Sequence, residues 1–181
     1  LDEARCGNHR LLMTRLTLEQ HARLGSAAPE DYDPLSQTAI LGEIVDRTPG
    51  VGIVAAGTSD LPVVTEAART LEFHGYEASK LTDVGVAGLW RLTEQLEALT
   101  AHRVLIAVAG MEGALFSVLA GLISSPIIAV PAPQGYGVAA EGRVALDSAL
   151  GSCAPGLLVV NIGNGFGAAC AAIRIMRIAS I

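Results

Sequence analysis

The stretch Val104 to Gly121, VLIAVAGMEGALFSVLAG, constrains this chain more than any other. It opens on an uninterrupted apolar run, the pattern of a strand buried on both faces, and so of a parallel sheet covered on two sides. The run breaks at Ala109-Gly110, and after Gly113 the apolar residues return at helical spacing. Between the two segments stands Glu112, the only charge from Val104 to Pro131. Parallel sheets bind ligands beyond the carboxyl ends of their strands, so a carboxylate at this turn is placed to meet one. The competing explanation is that Glu112 caps the helix that follows, and this stretch alone does not decide between them.

The same strand-then-helix rhythm repeats from Pro49 onward. Strands are expected over Val51–Ala55, Tyr76–Leu81, the Val104 run, Ile127–Val130 and Leu157–Ile162. Helices are expected from Leu61 to His74, where Pro62 is tolerated in the first turn and Gly75 ends the helix. Another carries Leu89, Leu92, Leu96 and Leu99 on one face; others follow Gly113 and Gly137, and the last opens at Asn164-Gly165. Five strands alternating with helices predict a three-layer α/β/α sandwich around a five-stranded parallel sheet, with the flavodoxin-like order 2-1-3-4-5. Residues 49–181 form this domain. Residues 1–48 read as an N-terminal appendage: a short strand over Leu11–Thr14, a helix from Thr17 to Leu24 capped by Thr17, and a linker over Ala27–Ser36.

Composition narrows the function classes. Half of the 181 residues are hydrophobic (51%), 17% are charged and the mean hydropathy is +0.46, which excludes disorder. Buried parallel strands account for part of this, and burial of subunit surface in a homo-oligomer would account for the rest. A membrane span is rejected, because glycines, Glu112 and Pro126 interrupt the apolar stretch and no basic flank marks an inside end. The net charge of −6 and scattered basic residues argue against nucleic acid. Cys6, Cys153 and Cys170 form no metal-binding spacing, and an odd count in a cysteine-poor chain points to a reducing, cytoplasmic setting. No secretory signal precedes the start, which lacks Met as a truncated N-terminus would.

Most of the unusual side chains fall in the loops that leave the strands: Thr58, Ser59, Asp60, Asp83, Glu112, Gln134, Tyr136, Asn161 and Asn164. Gly57-Thr58-Ser59-Asp60, in the first strand-to-helix turn, suits a phosphate or ribose, although Ser59 or Asp60 could simply cap the helix. It is neither a Walker loop nor GxGxxG. Cys153, in a glycine- and proline-rich turn, is the best nucleophile candidate, against the bland alternative of a small inert turn residue. Cys170, at helical spacing with Phe166 and Ile173, is expected in the core, and the four His residues on the surface or at helix ends. Cys153 precedes the last strand, so it lies on the side opposite the exit loops. A neighbouring subunit must bring the thiol if it is to act with Glu112.

The segments AAGTSDLPV (55–63), TDVGVAG (82–88), VAGMEGAL (108–115), VPAPQGYG (130–137), GSCAPG (151–156) and NIGNGFGA (161–168) closely resemble the pyridinium-3,5-biscarboxylic acid mononucleotide synthases. These carboxylase/hydrolases begin nickel-pincer nucleotide synthesis, and their core is similar to AIR carboxylase. The likeness spans roughly Gly50 to Ile175. It implies nicotinic acid adenine dinucleotide as substrate, CO2 or bicarbonate as co-substrate, Mg2+ on the phosphates, no organic cofactor and an octamer. It implies Cys153 as the nucleophile that adds to the ring and Glu112 as the base that removes the ring proton. Gly57, Thr58, Ser59 and Asp60 would hold the ribose phosphate. Asp83, Gly110, Met111, Gly113, Tyr136 and Asn164 would line the ring and ribose pocket; no metal ligand is assigned. Two positions depart from the family pattern: Gly163 where Asp is usual and Phe116 where Pro is usual. The family's N-terminal region is longer, so a segment is expected to be missing between Gly7 and Asn8; an intact mass of 18.6 kDa would overturn that. The alternatives are an AIR carboxylase acting on a purine ribonucleotide, which uses a pocket histidine, and a nucleotide-binding scaffold without turnover.

Overall fold

A computed structural model describes residues 1–7, 9–43 and 46–178. The junction expected between Gly7 and Asn8 lies outside them. In chain order the elements are α1 (Asp2–Cys6), β1 (Leu11–Met13), α2 (Leu18–Arg23), β2 (Asp31–Asp33), β3 (Thr38–Leu41), β4 (Thr48–Ala55), α3 (Leu61–Phe73) and β5 (Tyr76–Leu81). There follow α4 (Leu89–Thr93), α5 (Leu96–Thr100), β6 (Val104–Ala109), α6 (Ala114–Leu122), β7 (Ile127–Pro131), α7 (Arg143–Leu150), β8 (Leu157–Val159) and α8 (Gly165–Ile178).

The main sheet runs β5-β4-β6-β7-β8 with every pair parallel, which is the order 2-1-3-4-5 expected from the alternation. In register, Ile53 sits beside Ile106, which sits beside Ile128. Successive residues of a strand point to opposite faces, and both faces here are covered. Val51, Ile53, Val104, Ile106 and Ile128 pack against α3 and α8. Val54, Leu105, Ala107, Ile127 and Ala129 pack against Leu92, Leu99, α6 and α7. All six residues of β6 are buried, which is why its sequence shows no polar alternation.

Several boundaries differ from expectation. The first strand starts at Thr48, and β8 stops at Val159, where the sheet edge offers only β7 to pair with. The Leu89–Leu99 segment is two short helices, with Leu92 and Leu99 buried and Leu89 exposed. Cys170 is half-buried and Phe166 is exposed, so the face they share with Ile173 is only partly core. No helix among the described residues is long and apolar enough to cross a membrane.

The expected linker over 27–36 instead contains β2, and it pairs with an unanticipated β3 in an antiparallel sheet of order β1-β3-β2. The α2 helix is capped as expected: Gln20 N–H donates to Thr17 Oγ1, and Thr17 N–H donates to Gln20 Oε1 at 2.9 Å. This small sheet docks on α3 through arginines. Arg69 donates through Nε to Thr38 Oγ1 at 2.6 Å and through Nη2 to Asp31 Oδ1 at 2.7 Å. Arg10 stacks over the Phe73 ring and donates to the Phe73 carbonyl.

Candidate active-site cleft

Between β4 and β6 the chain reverses direction across the sheet, having gone to β5 on one side before returning to β6 on the other. Loops leaving such strands diverge and leave a crevice. Here the crevice holds about 250 Å³. Its walls are Ala56, Gly57, Ser59 and Asp60 after β4, Gly85, Val86 and Ala87 after β5, and Gly110, Met111 and Glu112 after β6; Gln134 closes it from the β7 side. A Cβ on Gly110 would fall on the Gln134 carbonyl oxygen, so only glycine lets these two loops close together. Met111 follows in the left-handed region at φ 51, a conformation disfavoured for a non-glycine residue and concentrated at functional turns.

The two carboxylates of the cleft differ in environment. Asp60 is buried and accepts the Gly57 N–H at 3.0 Å through Oδ2. Burial pushes its carboxyl above the ordinary value, with the Gly57 bond acting against that rise. Glu112 is exposed and has no hydrogen-bond or ion-pair partner among the described residues. The N-cap of α6 is Gly113 at φ 64, and no side chain caps that helix. Capping therefore does not explain Glu112, and its carboxylate stays available to a ligand. The Phe116 departure is accommodated locally, since the ring is fully buried and lies against Gly113, where a Cβ would stand 2.8 Å from Cε2.

Of the residues expected at the site, Gly57, Ser59, Asp60, Gly110, Met111 and Glu112 line this cleft. The others do not line it. Thr58 is exposed in the same loop. Asp83 pairs with Arg91 at 3.0 Å. Gly113 is spent on the α6 turn, and Tyr136 is 77% exposed. Asn164 Oδ1 accepts the Gly167 N–H at 2.8 Å and so holds the start of α8. Cys153 is exposed, in the turn leading into β8 at the N-terminal ends of the strands, and lines neither this cleft nor the cavity described next. The backbone-lined Gly85–Ala87 turn escaped side-chain reasoning because it carries no reactive group; its glycine-rich sequence was the only signal.

A second cavity of about 360 Å³ lies on the other side of Gln134. The appendage contributes Arg15, Leu35, Ser36 and Gln37, and the body contributes Pro62, Val63, Glu66, Pro133, Gln134 and Gly163. Gly163, at φ 63, has space around it: the atom nearest to a Cβ added there would be Pro133 Cδ, at 3.7 Å. Glu66 is buried and accepts the Phe166 N–H at 3.2 Å, which ties α3 to the start of α8. Burial raises its carboxyl, while the Phe166 and Gly165 amides and Arg15 act in the other direction. The described residues hold no cluster of three or more His, Cys, Asp or Glu that could bind a metal ion.

Comparison with known proteins agrees with this architecture. A crystal structure of a PurE2 variant from Treponema denticola is similar with a TM-score of 0.57 at 23% identity, over 73% of this chain and 80% of that one. That likeness bears on the fold alone. An uncharacterized protein of Methanocaldococcus jannaschii is 49% identical over 120 residues, 65% of this chain. The chain spans about half the length of that curated relative, 46%. The AIR carboxylase family matches residues 50–180, which take in β4 from Gly50 onward, the other four parallel strands and every loop of the first cleft. The chain belongs to the AIR carboxylase family.

Proposed function

We propose that the chain carboxylates the pyridinium ring of nicotinic acid adenine dinucleotide and hydrolyses its phosphoanhydride, giving AMP and a pyridinium dicarboxylic acid mononucleotide. The observation that carries this reading is the free Glu112 carboxylate at the rim of a cleft lined by no histidine. A pyridinium is electrophilic beside its nitrogen, so a thiolate can add to carbon 6. The resulting dihydropyridine is nucleophilic at carbon 5, which forms a C–C bond to CO2. Glu112 takes the carbon 5 proton, the thiolate leaves carbon 6, and the aromatic ring is restored. The net change is C–H to C–COO⁻, with the proton on Glu112 and the thiol regenerated as thiolate. Water cleaves the phosphoanhydride in a separate step.

The thiol in this reading is Cys153 of a neighbouring subunit. Within one chain it lies away from the cleft, and it is exposed and free of any disulfide. Large apolar side chains left exposed, such as Val138 at 95% and Leu150 at 66%, fit burial in a homo-oligomer. The octamer and the cytoplasmic setting belong to this same proposal.

A second reading has the family match in its favour: carboxylation of aminoimidazole ribonucleotide. It lacks the pocket histidine that chemistry uses, since no His lines the cleft. Mass spectrometry of the protein with nicotinic acid adenine dinucleotide, bicarbonate and Mg2+ separates the two. AMP and a dicarboxylated mononucleotide, both lost in Cys153→Ala, are the expected products. Carboxylated aminoimidazole ribonucleotide in their place would move the chain to the second reading, and binding without turnover would make it a scaffold.

A further inference from the structure

We propose that the second cavity is a nucleoside monophosphate site, with Arg15 of the appendage as its phosphate-binding residue, and that it receives the far half of the substrate. The role in the substrate rests on the dinucleotide reading above; the site itself rests on the geometry that follows.

The first cleft is small, about 250 Å³, and is lined by Asp60 and Glu112 with no Lys or Arg among the described residues. A ligand with two phosphates finds no positive side chain there. The second cavity is larger, about 360 Å³, and among the described residues Arg15 is the only basic one lining it. Arginine presents a planar set of donors matched to phosphate oxygens. Its backbone is in the left-handed region at φ 56, as is Gln37 at φ 53, and both residues line the cavity. The Leu16 N–H donates to the Gln37 carbonyl at 2.8 Å, which locks these two turns side by side. Disfavoured conformations held in place by their surroundings cluster at ligand sites.

Gln134 connects the two spaces, since it lines both. Its Oε1 is buried and has no hydrogen-bond partner. An orphan acceptor of this kind is costly unless a donor arrives, and a ribose hydroxyl or exocyclic amine crossing from one space to the other would be one. Gly163 leaves the cavity wall open, with no side chain to fill it. The neighbouring negative group is Glu66, whose carboxylate is turned onto the amides at the start of α8 and whose buried carboxyl favours its neutral form more than usual. With its oxygen engaged by those amides, it opposes an incoming phosphate less than a free carboxylate would.

The test is calorimetry on the full chain with AMP, inorganic phosphate and nicotinic acid mononucleotide as separate probes. AMP is expected to bind saturably and more tightly than phosphate, and to bind again when the mononucleotide is already present. Arg15→Gln is expected to weaken AMP about tenfold or more while leaving the mononucleotide unchanged; Arg15→Lys should recover part of the loss. Arg15 is exposed and its side chain makes no hydrogen bond among the described residues, so these variants keep the structure for the measurement. Absence of AMP binding, equal binding by wild type and Arg15→Gln, or displacement of AMP by the mononucleotide would each overturn the site. Phosphate binding as tightly as AMP would overturn the nucleoside part. Arg15-dependent AMP binding without mononucleotide binding would instead leave the site standing and remove the dinucleotide reading.

Discussion

The Asp60 carboxylate turns back on its own loop and accepts the Gly57 amide at 3.0 Å, with only 2% of the residue meeting solvent. Burial holds this carboxyl above its ordinary value of 3.8, so the folded chain binds the proton more tightly than the unfolded chain does. Its contribution to stability is fully present below that ordinary value and is lost as the pH rises through the raised, folded one. Asp60→Asn keeps an oxygen acceptor for Gly57 but cannot ionise. The variant should therefore gain stability relative to wild type as the pH rises above that ordinary value, because the wild type must then bury a charge that Asn does not carry. A series of thermal midpoints reads this directly; a difference that stays flat with pH would show that Asp60 is not the titrating group.

Glu112→Gln should separate chemistry from folding. The side chain is exposed and unpartnered, so the thermal midpoint should move by no more than about 0.5 kcal/mol equivalent. If Glu112 takes the ring proton, kcat should fall by about 10²–10⁴ with little change in substrate affinity. A loss confined to KM would instead make Glu112 a binding residue.

Gly110→Ala tests the closure of the cleft. The new methyl would collide with the Gln134 carbonyl and push the two loops apart. A destabilisation of about 1–3 kcal/mol is expected from the overpacking, together with loss of ligand binding in both spaces that share Gln134. Chemical denaturation and calorimetry on one preparation check both effects, and unchanged binding would mean that the Gln134 loop is free to move.

What the sequence made legible follows from how side chains are partitioned. The alternation of strands and helices could be anticipated because β6 buries residues on both faces and so appears as an unbroken apolar run, while the helices carry one apolar stripe; the strand order followed only from the count of strands. The Gly57 and Glu112 loops could be anticipated because strand ends converge at the crevice. Direction was not legible. Asp83, Tyr136 and Asn164 stand in the right loops, yet one faces Arg91, one faces solvent and one caps α8. The appendage sheet was hidden because β2 is the polar tripeptide Asp31-Tyr32-Asp33, whose partner β3 has only four residues; neither is long enough to show a period. Pairing and the docked arginines, which no local pattern encodes, decide that region.

Arg69→Met asks whether the appendage is part of the working molecule. Arg69 joins α3 to two strands at once, through Thr38 Oγ1 and through the Asp31 carboxylate. The Asp31 half is 45% exposed on the carboxylate side and is worth little on its own. The Thr38 half matters more, because Thr38 is fully buried and would keep only Ser36 Oγ as a partner. Loss of the Arg69 donor should cost about 1–3 kcal/mol, carried mainly by the contact between the small sheet and α3. Methionine retains the apolar stem, so the body should remain folded around its own two core layers. The expected outcome is faster proteolysis within residues 1–48 and weaker AMP binding, since four walls of the second cavity come from that segment. Mononucleotide binding in the first cleft, which takes no residue from the appendage, should persist. Equal weakening of both ligands would mean that the small sheet supports the whole molecule and not the second cavity in particular.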